Sequence, residues 1–521
     1  MRVIFLYQEL SSGLSVLAEN RIRLRYSGFI LFLSRLVSVG TGLLFTLMVT
    51  RRISLEDYGI YGNLGDVLSY FMILSSIVPF WVTRFVARGQ IGSFKTGFTI
   101  NILIGLSSTA IYLVSTPSIL YALQISLKYM PIYSISALLI IENYILSIFE
   151  AAIYPRRPEK LGFGLLAFEA SKVLLGFILI IRCEMGLMGG LISIIAASFI
   201  QILFYLKDLL HEFHEKIVWD YAKEWFKASI LNIYGIIGGR LLMLANLLLF
   251  IYGGELSRAY FGASSTIASI VTFSSSLAFA LYSKLLSNAE LRDVMLSIKM
   301  VLMFAIPMSL GAIILSESLL YLLNPSYSAA SLILMVLSLN ALFSSIASIF
   351  ESIISGTERF DVEAKLSFRR VLKSRLLSLL TLRYIQALIV VLPIYLILPS
   401  LSHDALLSTL YFVLIGAVSD TALTLAKYFM AKRCINFNMP WASIGKNLCA
   451  SLAMAAVLLV FQAPPRLLVT LTRVLIGALT YFSVLSIIDR EVRETIKSAE
   501  KEIMKMLKIE GRHLRRYESK R

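Results

Sequence analysis

The sequence predicts an all-α membrane protein with about fourteen transmembrane helices, and three observations carry the prediction. Of the 521 residues, 58% are hydrophobic and only 16% are charged, too little polar surface to solvate globular domains of that size. A crossing helix needs roughly 20 mostly apolar residues to span the ~30 Å hydrocarbon core. Windows of that kind fall at 27–50, 59–80, 97–116, 131–153, 161–181, 185–206, 226–252, 259–282, 295–315, 330–354, 377–398, 405–427, 443–462 and 466–488. Lys and Arg collect in every second connection. Backbone amides cannot go unsatisfied in lipid, and no alternating strand pattern is present, so the spans are expected to be helices and not a barrel.

Orientation follows from the basic residues, because short basic loops stay on the cytoplasmic side. With the N-terminus inside, the outside loops hold only Arg51, Arg52, Lys128, Arg182, Arg258 and Arg466, and both termini are cytoplasmic. Arg35, Lys172, Arg240, Arg383, Lys446 and Arg473 lie within spans. The net charge of +17 is thus the signature of insertion topology, and no nucleic-acid partner is expected. The first twenty residues contain Glu9 and Glu19 and no small-residue cleavage site, so they do not read as a cleaved signal peptide. Cys183, Cys434 and Cys449 are odd in number and suggest neither a disulfide framework nor a metal cluster.

The loops are short, which puts function inside the helical bundle. The segment Lys207–Lys227, around Trp219 and Trp225, is one exception. The tail 489–521 is the other: Val492, Ile496, Ala499, Ile503 and Met506 recur at helical spacing among lysines, as in an amphipathic helix that lies on anionic lipid, pairs with another helix or is simply solvated.

An internal repeat suggests two parallel halves. Ser34–Phe45 reads SRLVSVGTGLLF and Gly239–Phe250 reads GRLLMLANLLLF, which aligns Arg35 with Arg240. The organisation expected is an N-terminal cytoplasmic segment (1–26), a lobe of six spans (27–206), a cytoplasmic linker (207–225), a pseudo-symmetric six-helix lobe (226–427), two C-terminal helices (428–488) and the basic tail (489–521).

An arginine near mid-span costs on the order of 2.5–3.5 kcal/mol, so it is expected to face a partner or a wet site. Arg35 and Arg240, approaching one cleft from the two halves, would suit phosphate oxygens, which guanidinium groups bind bidentately. The alternative is that each locks the bundle through a carboxylate or helix carbonyls. Arg383 and Lys172 are weaker candidates, Lys172 because Glu169 lies on the same helical face. Asp66, Glu142 and Asp420 are intramembrane acids that could couple transport to an ion or serve as counter-charges. Pro307 and Pro393 interrupt two spans. No HExxH or Walker-type loop occurs, and His211, His214, His403 and His513 form no convincing ligand set. No cofactor, no metal and no catalytic residue is expected.

Two stretches carry a family resemblance. Thr50-Arg51-Arg52-Ile53-Ser54-Leu55-Glu56-Asp57-Tyr58-Gly59-Ile60-Tyr61 follows the first span, and Asn324-Pro325-Ser326-Tyr327-Ser328-Ala329-Ala330 precedes a span closing with Gly356-Thr357-Glu358-Arg359. With the span count and the repeat, they resemble the Wzx-type polysaccharide flippases of the multidrug/oligosaccharidyl-lipid/polysaccharide exporter superfamily. One departure is Asn246, where such proteins often carry an acid. The resemblance implies two lobes around a cationic cavity in the cell membrane. It implies alternating access that turns a polyprenyl (pyro)phosphate-linked glycan from the cytoplasmic to the outer leaflet, for cell-surface polysaccharide or glycoprotein synthesis. The partners implied are that glycan lipid, membrane lipids and glycan-assembly proteins. Three rivals stand beside it: a multidrug extruder of the same superfamily, a polyprenyl-dependent glycosyltransferase, and a scaffold that transports nothing.

Overall fold

The structure, a computed structural model, describes residues 30–31, 33–278, 291–357, 375–461 and 463–494. The N-terminal segment and nearly all of the basic tail lie outside the described residues. So does Glu358-Arg359.

Every regular element among the described residues is helical. In chain order these are α1 (Leu33–Thr50), α2 (Leu55–Phe71), α3 (Ile77–Ala87), α4 (Ser93–Ala122), α5 (Met130–Ile153), α6 (Pro158–Gly176), α7 (Gly186–Leu209), α8 (Trp219–Ala228) and α9 (Ile230–Thr272). They continue with α10 (Leu291–Ile314), α11 (Ser316–Leu323), α12 (Ser331–Gly356), α13 (Arg375–Ile397), α14 (Ala405–Cys434), α15 (Trp441–Val460) and α16 (Leu467–Ile488). The chain is a multi-pass membrane protein: among the described residues 12 helices are long and apolar enough to cross a bilayer, up to 13 with the bent pair α2–α3 taken as one span.

Two spans differ from the straight helices the sequence suggests. The second bends by 58° between α2 and α3. A 3-10 turn, Ile73–Ser76, fills the bend, and Pro79 sits in the first turn of α3, where it cannot donate to the carbonyl one turn earlier. In α9, 43 residues run without a loop, on the order of 65 Å at the helical rise and therefore enough for two crossings. A single residue, Gly254, breaks it at φ 74°, ψ −175°, a backbone region that side chains with a Cβ rarely enter. Arg258, assigned to an outside loop between two spans, lies inside the second helical stretch and is only 8% exposed. The neighbouring Gly253, Gly254 and Glu255 lower the local hydropathy and imitate a loop.

The chain divides into two compact units, 1–263 with 377–416, and 264–376 with 417–521. In the first, an aromatic core joins Phe94, Phe98, Phe149 and Phe213. The segment after α7 is folded onto the α3–α4 turn: the amide of Gly92 donates to Glu215 at 2.6 Å, that of Val218 to Thr96 Oγ1 at 2.8 Å, and Trp81 Nε1 to Ser229 Oγ at 2.8 Å. Trp225 is buried there, edge-on to Phe85, while Trp219 is exposed. Gly235 and Gly238 of α9 lie against Leu380 and Tyr384 of α13, and Tyr384 stacks on Tyr234 with ring centroids 4.5 Å apart.

In the second unit α15 and α16 pack on α10 through Met454, Leu458, Tyr481 and Leu485, and Tyr481 donates to the Met303 carbonyl at 2.7 Å. The Asn324-Pro325 motif is a capped 3-10 turn: Asn324 Oδ1 accepts from the Ser326 amide at 3.1 Å, and Tyr327 is 1% exposed.

Candidate functional site

In the first unit α2 and α9 run antiparallel, with contacts at Tyr70 and Arg240, Ser69 and Met243, Asp66 and Asn246, Gly62 and Arg258, and Tyr58 and Gly262. The Tyr-Gly motif makes this approach close. A Cβ on Gly59 would strike the Glu255 carbonyl, and one on Gly62 would crowd the Arg258 guanidinium. Small residues at a membrane helix interface admit such contact.

The approach brings charges together. Arg258 Nε donates to Asp66 Oδ2 at 2.7 Å and its Nη2 to the Gly62 carbonyl at 3.2 Å, while Asn246 Nδ2 donates to Asp66 Oδ1 at 3.1 Å. Asp66 is 6% exposed, so a buried carboxylate has an arginine and an amide, and both of its oxygens are occupied. The guanidinium also lies over the Phe261 ring, 5.4 Å from its centroid. By its sequence position Arg258 reads as a loop residue and not as a member of this site. The signal available was an intramembrane acid without an assigned cation.

Arg240 has different surroundings. It is half-buried; its Nη1 donates to Met243 Sδ at 3.0 Å, and its backbone carbonyl accepts from Tyr70 Oη at 3.2 Å. Among the described residues no carboxylate lies at ion-pair distance from it. A thioether is a weak acceptor for a cation, so this guanidinium retains most of its donor capacity.

The other predicted residues are distributed as follows. Arg35 is exposed on α1, and its charge acts on Glu150 of α5, which accepts from Gln201 of α7 at 3.4 Å. Lys172 is buried and bonded to Glu169 at 2.6 Å, and Glu169 also accepts from Ser38 and Thr41 of α1, each at 2.6 Å. Four polar groups thereby fasten α1 to α6. Arg383 is exposed on α13, its Cβ lying against Gly238. Glu142 is 7% exposed, and its Oε2 has no hydrogen-bond partner among the described residues. In the second unit Asp420 accepts from Asn340 at 2.7 Å, and Lys427 meets Glu351 at 2.6 Å. Lys446 pairs with Asp489 at 3.2 Å, and Arg473 donates to the Leu458 carbonyl at 3.0 Å. No group of three or more His, Cys, Asp or Glu side chains arranged for a metal occurs among the described residues.

No family model and no curated protein matches this chain. Solved structures do match it in fold. The lipid II flippase MurJ in its inward closed conformation superposes with a TM-score of 0.65 at 16% identity, over 89% of this chain and 99% of that one. The chain has the fold of the MOP superfamily transporters. An inward-facing multidrug resistance MATE transporter of that superfamily gives 0.59 at 12% identity, over 76% of this chain and 95% of that chain. A MOP superfamily transporter from Pyrococcus furiosus, described as having a binding pocket of reversed polarity, gives 0.53 at 11% identity, over 80% and 95%.

Proposed function

We propose that the chain is a flippase that carries a polyprenyl (pyro)phosphate-linked oligosaccharide from the cytoplasmic to the outer leaflet of the cell membrane by alternating access, and is a transporter, not an enzyme. The observation that carries this reading is Arg240: a guanidinium on a membrane-spanning helix, held by a thioether and without a carboxylate at ion-pair distance among the described residues. Removing an arginine from water is costly, and a site that leaves it without an acid is suited to an anionic group brought by a ligand. The fold likeness to a lipid II flippase over 89% of the chain supports a lipid-linked saccharide as cargo. Arg240 is the leading contact for the lipid phosphate, with Arg35 as the second; Arg383 and Lys172 contribute less, Lys172 because Glu169 holds it.

The fold likeness to a MATE transporter favours a second reading, export of drugs. The Arg240 charge opposes it for cationic drugs, since like charges in a low-dielectric site repel. Purified protein in vesicles decides between the two. Fluorescent polyprenyl-pyrophosphate-linked glycans are supplied on one leaflet, with and without Na⁺ or pH gradients, alongside a cationic dye. Glycan-lipid flipping that disappears in R35A/R240A, while the variant inserts normally, supports the flippase. Dye transport without glycan flipping, or normal flipping by the double variant, overturns it.

A further inference from the structure

We infer that Arg258 and Asn246 act as positioning residues that hold Asp66 away from Arg240, and so keep the Arg240 guanidinium open to an external anion. The inference rests on the phosphate-binding reading of Arg240, and it assigns a task to a buried ion pair outside that contact.

Arg240, Met243 and Asn246 of α9 meet Tyr70, Ser69 and Asp66 of α2 in that order, Arg240 through its backbone carbonyl and the other two through their side chains, while the Arg240 guanidinium is turned to the Met243 sulfur. Three residues rise roughly 4.5 Å and six roughly 9 Å. The Met243 sulfur accepts from both Arg240 Nη1 and Ser69 Oγ, and Ser69 is less than one turn from Asp66 on α2, so Asp66 lies within a side chain's reach of Arg240. Tyr70 is near both: its hydroxyl donates to the Arg240 carbonyl, and the Asp66 and Arg240 charges act on it.

In this low-dielectric setting an unpartnered carboxylate and an unpartnered guanidinium would draw together strongly. The structure shows why they do not. One oxygen of Asp66 is taken by the Arg258 Nε and the other by the Asn246 amide. Arg258 in turn is fixed by the Gly62 carbonyl and by the Phe261 ring, so it cannot be traded easily for Arg240. Asp66 is therefore committed to Arg258 and Asn246, and Arg240 keeps its own charge without an acid at ion-pair distance among the described residues. Anion selectivity is thus set by a pair that does not itself touch the ligand. Asn246 belongs to the same arrangement: an acid there would compete for the arginines, whereas an amide donates.

The test reads the state of Arg240 directly. Full-length protein in vesicles is treated with p-hydroxyphenylglyoxal, which modifies accessible guanidinium groups, and the Arg240 peptide is quantified by mass spectrometry. In R258Q, Asp66 is released to Arg240, and modification slows by roughly fivefold or more, the factor that about 1 kcal/mol of ion pairing provides. In D66N/R258Q the competing acid is gone, and the rate returns to that of the wild type. R258K, which keeps the charge, behaves as the wild type does. An unchanged rate in R258Q, or no recovery in D66N/R258Q, overturns the inference. Should R258Q fail to accumulate, N246L, which frees one Asp66 oxygen, takes its place: slower Arg240 modification that D66N/N246L restores supports the positioning role, and an unchanged rate overturns it. Farnesyl pyrophosphate serves as the anionic probe in a second arm. If it protects Arg240 in the wild type and in D66N/R258Q but has no site in R258Q, both readings are supported. If the rescue pattern holds while the probe protects nothing, the phosphate reading falls and the positioning role stands.

Discussion

Arg240 and Arg258 lie on either side of the break in α9, both against α2, and their surroundings differ. Arg258 is 8% exposed and meets a carboxylate at 2.7 Å, a backbone carbonyl and an aromatic face; Arg240 is half-buried and meets a methionine sulfur. The difference shows that burial alone does not define a functional arginine in a membrane protein. What matters is how many acceptors the fold has already supplied. A guanidinium whose acceptors are all internal is a strut, and one that lacks them has capacity for a ligand.

Substitutions can break or sharpen this contrast. The largest effect is expected from R258A, which strands Asp66 in a buried site and costs about 3–5 kcal/mol of stability, whereas R240A costs less than about 1 kcal/mol. Unfolding of the purified protein in detergent, followed through the fluorescence of buried Trp225, measures both; equal losses would erase the distinction drawn between the two arginines. Next is G59V, which pushes a side chain into the Glu255 carbonyl and separates α2 from α9, at about 1–3 kcal/mol. It should lower thermal stability and weaken the Asp66–Arg258 pair, so that adding D66N to G59V costs less than D66N alone.

G254A forces a Cβ into a left-handed backbone region at about 1–2 kcal/mol, with open space around it. Loss of stability without a change in Arg240 reactivity would assign Gly254 to the fold only. The smallest effect is expected from N246L, about 1 kcal/mol, because Asp66 keeps Arg258 and loses a single donor. A larger loss than that for R258A would reverse the order of importance argued for Asp66's two partners.

Much of the fold is legible in the amino-acid sequence because a crossing helix imposes a strong local demand. Span after span, from Ser93–Ala122 to Leu467–Ile488, coincides with an apolar window that needs no knowledge of its neighbours. Lys172 with Glu169 is legible for the same reason: three residues on a helix fix a shared face. Asp66 is visible as an intramembrane acid, and Arg240 as an intramembrane base. The Asp66–Arg258 contact is not, since its members are 192 positions apart and Arg258 sits in a stretch whose two glycines resemble a turn.

The sequence by itself therefore determined the apolar segments, their helical nature and the presence of costly charges inside them, all properties of single segments in lipid. Only the tertiary structure decided which of those charges have partners. Pairing depends on the register between α2 and α9, which Gly59 and Gly62 permit and the break at Gly254 accompanies, and register is a property of two helices in contact.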